Sequence, residues 1–210
     1  MSQARAERAA LVETMGALGP DVPTMCDGWT ARDLAVHLIL RERRPDAALG
    51  MFVPALAGYT RSVERRYAGK PWPDLLQTVL DGPPWYSPFR PLDSVLNLAE
   101  MFVHHEDVLR GGADPTGPFL PRKLSPALER ALERPLKLVA RGTLRSSPAR
   151  VTLGSVDGRE LLTAGRGEAV TVTGTTGELL LWAFGRAPAD VKITGPEAAV
   201  QALSADDRSV

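Results

Sequence analysis

The spacing of apolar residues changes near residue 150, and this change limits the fold more than any other feature of the chain. Before it, apolar residues recur every three or four positions, which is typical of amphipathic helices. After it, short segments alternate with a period of two and are separated by turn signals such as Asp157-Gly158, which is typical of strands. A chain that is helical first and mixed later is expected to be α+β, with the two patterns in separate domains.

Composition excludes several functional classes. The chain has 210 residues, 44% of them hydrophobic, with 25 basic and 25 acidic residues and a formal charge of zero. No basic stripe indicates nucleic-acid binding, and no apolar run approaches the roughly 18 residues of a membrane span. The charged N-terminus does not resemble a signal peptide. The single cysteine, Cys26, fits a reducing compartment, so we expect a cytoplasmic protein.

The first part of the chain is predicted to be a helical bundle. The main helices are expected at 2–18, 30–44, 46–68 and 91–110, with a short one at 74–80. Thr30 and Asp33 form a capping-box pattern at the start of the second. Pro54 and Gly58 are expected to kink or break the third. Four main helices with one elaborated connection predict a four-helix bundle.

The last part is predicted to be a small α/β domain. A helix at 124–139 is expected to be broken by Pro135. The predicted strands are 151–153, 159–163, 169–173 and 190–194, with helices at 177–184 and 196–203. We therefore predict two domains, 1–135 and 136–210.

The chemistry is concentrated near the three histidines of the chain. Glu100 and His104 lie four residues apart on the helix predicted at 91–110, which directs both side chains the same way. His105 is about 100° further round this helix and is not expected to share their site. His37 lies on the helix predicted at 30–44. Together His37, Glu100 and His104 could form a facial three-ligand metal site.

Two alternatives remain open for this helix. Five polar side chains share one face: Asp93, Asn97, Glu100, His104 and Asp107. Such a row is either a solvated face or the lining of a polar cavity. The apolar residues around it favour the cavity, because buried carboxylates require partners or a metal. Taken alone, His37 is better explained as an ordinary interface histidine bonded to a carboxylate.

Two motifs resemble a known family. Gly28-Trp-Thr-Ala-Arg-Asp-Leu-Ala-Val-His-Leu38 is followed some sixty residues later by Glu100-Met-Phe-Val-His104-His-Glu-Asp107. This order and spacing resemble the mycothiol-dependent maleylpyruvate isomerase family, whose N-terminal domain is a DinB-like four-helix bundle. Val170-Thr-Val-Thr-Gly174 and Glu178-Leu-Leu-Leu-Trp-Ala-Phe-Gly-Arg186 resemble the family's C-terminal domain, a small α/β unit related to the sterol-carrier-like fold.

The resemblance implies a function. His37, Glu100 and His104 would be the ligands of a divalent metal, with zinc expected first, although such donors also suit nickel, cobalt or iron. Three protein ligands leave a position open, as in catalytic zinc sites. The implied activity is isomerisation or thiol transfer on a small molecule with a mycothiol-type thiol as cosubstrate. The alternative is a non-catalytic binding protein. The chain could also form a homodimer.

Further predictions concern other residues. Cys26 precedes the first motif and is better explained by packing than by nucleophilic chemistry. Arg186 and Asp107 are the catalytic candidates. Arg186 could bind a substrate carboxylate, or it could instead cap its own helix. Four aromatic side chains are expected to pack the long loop onto the bundle or to line a substrate pocket. They are Trp72, Trp85, Tyr86 and Phe89.

Overall fold

A computed structural model describes the chain over residues 2–48, 53–85, 87, 95–114, 117, 119–206 and 208. The chain divides into two compact units, Met1–Gly112 and Ala113–Val210. The first is helical and the second contains a four-stranded mixed sheet with helices, so the predicted α+β class is confirmed. None of the described helices is both long and apolar enough to cross a bilayer.

The first unit is built from helices of unequal length. They are α1 (Gln3–Leu18), α2 (Ala31–Arg43), α3 (Pro45–Ala48), α4 (Ala57–Ala68), α5 (Trp72–Asp81) and α6 (Leu96–Leu109), with a 3₁₀ turn at Pro54–Leu56. Helix α1 packs on α5 and α6, and α2 packs on α4 and α5. The predicted break near Pro54 is confirmed, because the third helical segment is divided into α3, the 3₁₀ turn and α4.

Local sequence explains where the central helix α2 begins. The Thr30 hydroxyl accepts from the Asp33 backbone N–H, while the Asp33 carboxylate accepts from the Thr30 backbone N–H at 2.9 Å. This is the predicted capping box, which satisfies two backbone groups that a helix start leaves open. Helix α2 then buries most of its residues in the core of the unit.

A buried ion pair joins α1 to α2 inside this core. Arg8 and Glu42 are 6% and 1% exposed, and Arg8 Nη1 donates to Glu42 Oε2 at 2.9 Å. The same nitrogen donates to the backbone carbonyl of Val79 in α5 at 2.9 Å. One guanidinium therefore ties three helices together, and neither charge is left without a partner.

The second unit begins with a long helix that precedes the sheet. Its elements are α7 (Pro126–Thr143), β1 (Arg150–Ser155), β2 (Glu160–Ala164), β3 (Ala169–Gly174), α8 (Thr176–Ala183), β4 (Val191–Thr194) and α9 (Glu197–Ser204). The strand order is β2-β1-β3-β4, with β1 and β3 parallel and the outer pairs antiparallel. All four predicted strands and both predicted helices beyond residue 150 are confirmed.

The predicted break at Pro135 is wrong. Helix α7 continues through Pro135, which is buried, and ends at Thr143. An interior proline removes one backbone hydrogen bond. Here Leu128, Leu132 and Leu136 lie along the buried face of the helix, which packs against α8. Burial of that face stabilises the continuous helix.

The division between the two units also differs from the sequence-based boundary. A boundary at 135/136 would fall inside α7, whereas the compact units meet at Gly112 and Ala113. The reason is again α7, since it packs on α8 and β2 and so belongs with the sheet.

Candidate metal centre

Helices α2 and α6 bring the three predicted ligands together. His37 is on α2, and Glu100 and His104 lie one turn apart on α6. One donor atom from each of the three lies within 4.8 Å of the others. His104 Nε2 is 3.4 Å from Glu100 Oε2, and the His37 and His104 rings meet edge to face with centroids 5.6 Å apart. Two imidazoles and a carboxylate at this spacing fit a divalent metal with nitrogen and oxygen ligands.

The two oxygens of Glu100 face different partners. Glu100 Oε2 lies towards His104, while Glu100 Oε1 is 3.4 Å from an Arg41 guanidinium nitrogen. Arg41 also donates to Asn97 Oδ1 at 3.3 Å. Arg41 is one turn beyond His37 on α2, so the helix that supplies one predicted ligand also holds the carboxylate of another.

The opposite edge of the His104 ring faces Asp107 and Cys26. His104 Nδ1 is 2.9 Å from Asp107 Oδ2, and the Cys26 thiol donates to the same oxygen at 3.3 Å. Asp107 is fully buried, and Cys26 is partly buried. Cys26, His104 and Asp107 are also close enough to form a second potential three-donor group. Among the described residues, both potential metal-binding groups therefore share His104.

The site shifts the pKa values of its groups in different directions. Burial, followed by the positive charge of His104, lowers the pKa of His37 to about 4. Burial alone would raise the pKa of Glu100, but the hydrogen bond and charge of His104, together with Arg41 and His37, lower it to about 2. Burial likewise opposes protonation of His104, but hydrogen bonds to Asp107, Cys26 and Glu100 outweigh it and raise its pKa well above 6.5. At neutral pH these shifts favour neutral His37, ionised Glu100 and protonated His104.

The polar row on α6 lines an interior region, as favoured from the sequence. Asn97, His104 and Asp107 are 1%, 8% and 0% exposed, and the Glu100 side chain is 26% exposed. A solvated face is excluded by these values. Asp93, the fifth member of the predicted row, lies outside the described residues.

His105 belongs to a separate arrangement on the far side of α6. Its Nδ1 is 2.7 Å from Glu7 Oε1, and its Nε2 is 2.9 Å from Thr14 Oγ1. Both partners are on α1, so this buried histidine attaches α6 to α1. The helical phase that separated His105 from the site in the sequence separates it in space as well.

A cavity of about 460 Å³ opens beside His37. His37 and Trp29 line it, and their rings lie 5.1 Å apart. Arg61 and Arg65, one turn apart on α4, line its other side together with Glu64. An organic molecule of modest size can therefore approach a predicted metal ligand from the surface.

Comparison with known proteins finds a family match for part of this chain. Residues 1–82 match the family described as mycothiol maleylpyruvate isomerase N-terminal domain. Over these residues the chain is similar to that family. The predicted resemblance is thus confirmed over the region that contains Cys26 and His37, while Glu100 and His104 lie beyond the matched residues. Searches of curated proteins and of solved structures gave no match.

The remaining predicted residues lie elsewhere. In the second unit, Arg186 donates to the backbone carbonyl of Phe184 at 3.3 Å, next to the end of α8, which is the capping geometry considered from the sequence. It also lines a cavity of about 400 Å³ with Trp182. Trp72 packs against the core of the first unit, but Trp85 is 80% exposed, so the packing predicted for it is wrong. Tyr86 and Phe89 lie outside the described residues.

Two contacts around the predicted ligands, those of Cys26 and Arg41, were not predicted from the sequence, whereas Asp107 was already placed in the polar row. Packing was predicted for Cys26, although its thiol contacts the Asp107 carboxylate behind His104. Arg41 could have been found from its spacing, since it follows His37 by one helical turn. The contact of Cys26 has no such local signal, because it joins residues 81 positions apart in the chain.

Proposed function

We propose that this protein is a metal-dependent enzyme that uses a low-molecular-weight thiol of the mycothiol type, in isomerisation or thiol transfer on a small molecule. The observation that carries the proposal is the convergence of His37, Glu100 and His104 donors within 4.8 Å beside a cavity that His37 lines. The match of residues 1–82 to a mycothiol maleylpyruvate isomerase domain supports the thiol.

The three residues would hold the metal through imidazole nitrogens of His37 and His104 and a carboxylate oxygen of Glu100. A bound divalent metal would supply Lewis acidity that lowers the pKa of a thiol reaching it. The low pKa of His37 keeps its ring neutral and able to donate a lone pair. Arg41 holds Glu100 by its other oxygen, which limits the directions that the ligand oxygen can take.

The cavity supplies the place for the organic reactants. Trp29 offers an aromatic wall next to His37, and Arg61 and Arg65 offer two guanidinium groups that can bind polar or anionic parts of a substrate. A purely structural metal would not need a cavity of about 460 Å³ that reaches one of its ligands.

The finer assignments are part of this proposal. Zinc is the proposed metal, because two histidines, one carboxylate and an open position are typical of catalytic zinc. We further propose that the helical unit is a DinB-like four-helix bundle and that the second unit has the sterol-carrier-like fold. Arg186 remains a proposed contact for a substrate carboxylate. A homodimer and a cytoplasmic location are also proposed.

The alternative is a non-catalytic protein that binds a metal or a small ligand. The ion pair of Arg41 with Glu100 favours the small-ligand form of this alternative, because Arg41 already satisfies one oxygen of the carboxylate.

Metal content and thiol binding distinguish these functions. Purified protein should contain about one equivalent of a divalent metal by mass spectrometry, and H37A and H104A should lose it. H105Q is the matched control, since His105 is the neighbouring histidine but faces Glu7 and Thr14. If both alanine variants retain metal at the wild-type level, the site is wrong.

The cobalt-substituted protein then tests the thiol. Adding mycothiol should change the visible cobalt spectrum, whereas a serine analogue that lacks the sulfur should not change it. A metal-loaded protein whose spectrum responds to neither compound would support the non-catalytic alternative.

A further inference from the structure

The carboxylate of Asp107 is placed where it can control the orientation of one predicted ligand. It lies 2.9 Å from His104 Nδ1, while His104 Nε2 is on the side of Glu100 at 3.4 Å. The Cys26 thiol donates to the same Asp107 oxygen, which therefore acts as an acceptor, and an acceptor there requires His104 to carry a proton on Nδ1. The nitrogen left for a metal is then Nε2, the one directed towards Glu100.

Asp107 is itself held from two directions by one loop. The Cys26 thiol donates to Asp107 Oδ2 at 3.3 Å, and the Met25 backbone N–H donates to the Asp107 carbonyl at 2.9 Å. The carboxylate has no exposed surface, so water does not compete for it. The same oxygen thus accepts from both the thiol and the imidazole.

The loop that carries Cys26 is closed on itself. Thr24 N–H donates to the Trp29 carbonyl and Trp29 N–H to the Cys26 carbonyl, each at 2.9 Å. Cys26 N–H donates to Thr24 Oγ1 at 3.2 Å. Gly28 adopts a φ of 73°, which residues with a side chain rarely adopt. The position of the thiol is therefore fixed by the turn rather than by Cys26 alone.

We infer that Asp107 and Cys26 are positioning residues for His104. Asp107 fixes the ring with Nε2 towards Glu100, and Cys26 fixes the Asp107 carboxylate. This inference rests on the proposed metal site and deepens it. Of the two potential donor groups, the one with His37 and Glu100 would bind the metal, and the one with Cys26 and Asp107 would support His104. Outer carboxylates of this kind orient metal-binding histidines and raise the basicity of the ring.

The first test measures metal affinity and coordination in single-residue variants. D107N should weaken zinc binding by about 10–100-fold, the usual effect of losing such a partner, and should shift the visible spectrum of the cobalt protein. C26S keeps a donor and should remain close to wild type. C26A should also weaken zinc binding, but by less than D107N does. T14V is the matched control, because it removes the partner of His105 and should lower stability without a spectral change.

The second test needs no variant. Nitrogen-15 NMR of the zinc-loaded wild-type protein should show His104 protonated at Nδ1 and metal-bound at Nε2. A cobalt spectrum with a thiolate charge-transfer band that disappears in C26S would overturn the inference, since Cys26 would then be a ligand. Binding by D107N with wild-type affinity and an unchanged spectrum would also overturn it, while leaving the proposed function intact. A wild-type protein that binds neither zinc nor cobalt would instead remove the proposed function and this inference together.

Discussion

The rings of His37 and His104 meet edge to face, with centroids 5.6 Å apart and planes inclined by 75°. They come from different helices, and nothing local to either helix determines the contact. The arrangement depends on two further anchors, since Trp29 lies against His37 and Asp107 against the far side of His104. The two imidazoles are thus oriented by their surroundings before any metal arrives, which reduces the cost of organising the site.

Loss of the carboxylate ligand should weaken metal binding strongly. E100Q keeps the size of the side chain but removes its charge. Residues that merely support a ligand typically contribute about 10–100-fold to metal affinity, so removal of an anionic ligand should cost at least that much. Zinc affinity measured by competition with a chromophoric chelator checks this expectation. H105Q should bind zinc like wild type, and equal weakening in both variants would show a general loss of structure instead.

Zinc binding near pH 7 should release a proton from His104. Its pKa is raised well above 6.5 in the metal-free protein, so the ring is protonated before binding and must lose one proton to act as a ligand. His37, with a pKa of about 4, and Glu100, at about 2, contribute no release. Calorimetry in two buffers of different ionisation enthalpy measures the protons released. A binding enthalpy that does not depend on the buffer would contradict the assignment.

The same raised pKa makes the metal-free protein respond to pH. Because protonated His104 is favoured by folding, its stabilisation is complete below the unfolded pKa of about 6.5 and is lost as the pH rises through the folded pKa. The free energy of unfolding of chelator-treated protein, measured in urea, should therefore fall as the pH rises from 6. The fall should be smaller in H104Q.

Breaking the buried pair between α1 and α2 should be costly. E42A leaves Arg8 buried and paired only with the Val79 carbonyl, and loss of one partner in a buried pair typically costs about 3–5 kcal/mol. D46A is the matched surface control, because it breaks the ion pair of Arg44 with an Asp46 side chain that is 50% exposed and should cost about 1 kcal/mol or less. Urea unfolding measures both, and equal costs would contradict the burial argument.

Two adjacent glycines after α6 should respond differently to alanine. A Cβ on Gly111 would lie 2.0 Å from the Pro23 carbonyl oxygen, whereas a Cβ on Gly112 would meet nothing within 4 Å. G111A must push away the loop that carries Cys26, and overpacking of this kind typically costs about 1–3 kcal/mol. G112A should unfold like wild type. Thermal unfolding of the two variants measures the difference. A midpoint for G111A equal to that of wild type would contradict the prediction.

The sequence by itself determined the local elements of this protein. The capping box at Thr30 and Asp33 set the start of α2, and the period-two segments after residue 150 set all four strands. The helical spacing alone separated His105 from His104 and placed Glu100 beside His104. These features depend on residues a few positions apart, so they can be read from sequence patterns.

Tertiary structure decided what depends on packing between distant segments. Helix α7 runs through Pro135 because its buried face packs against α8, and this packing also places the helix with the second unit. The contact of Cys26 with Asp107, and through it with His104, joins a loop to a helix far along the chain. No periodicity encodes such a contact, because it exists only once the helical unit has folded and excluded water from the carboxylate.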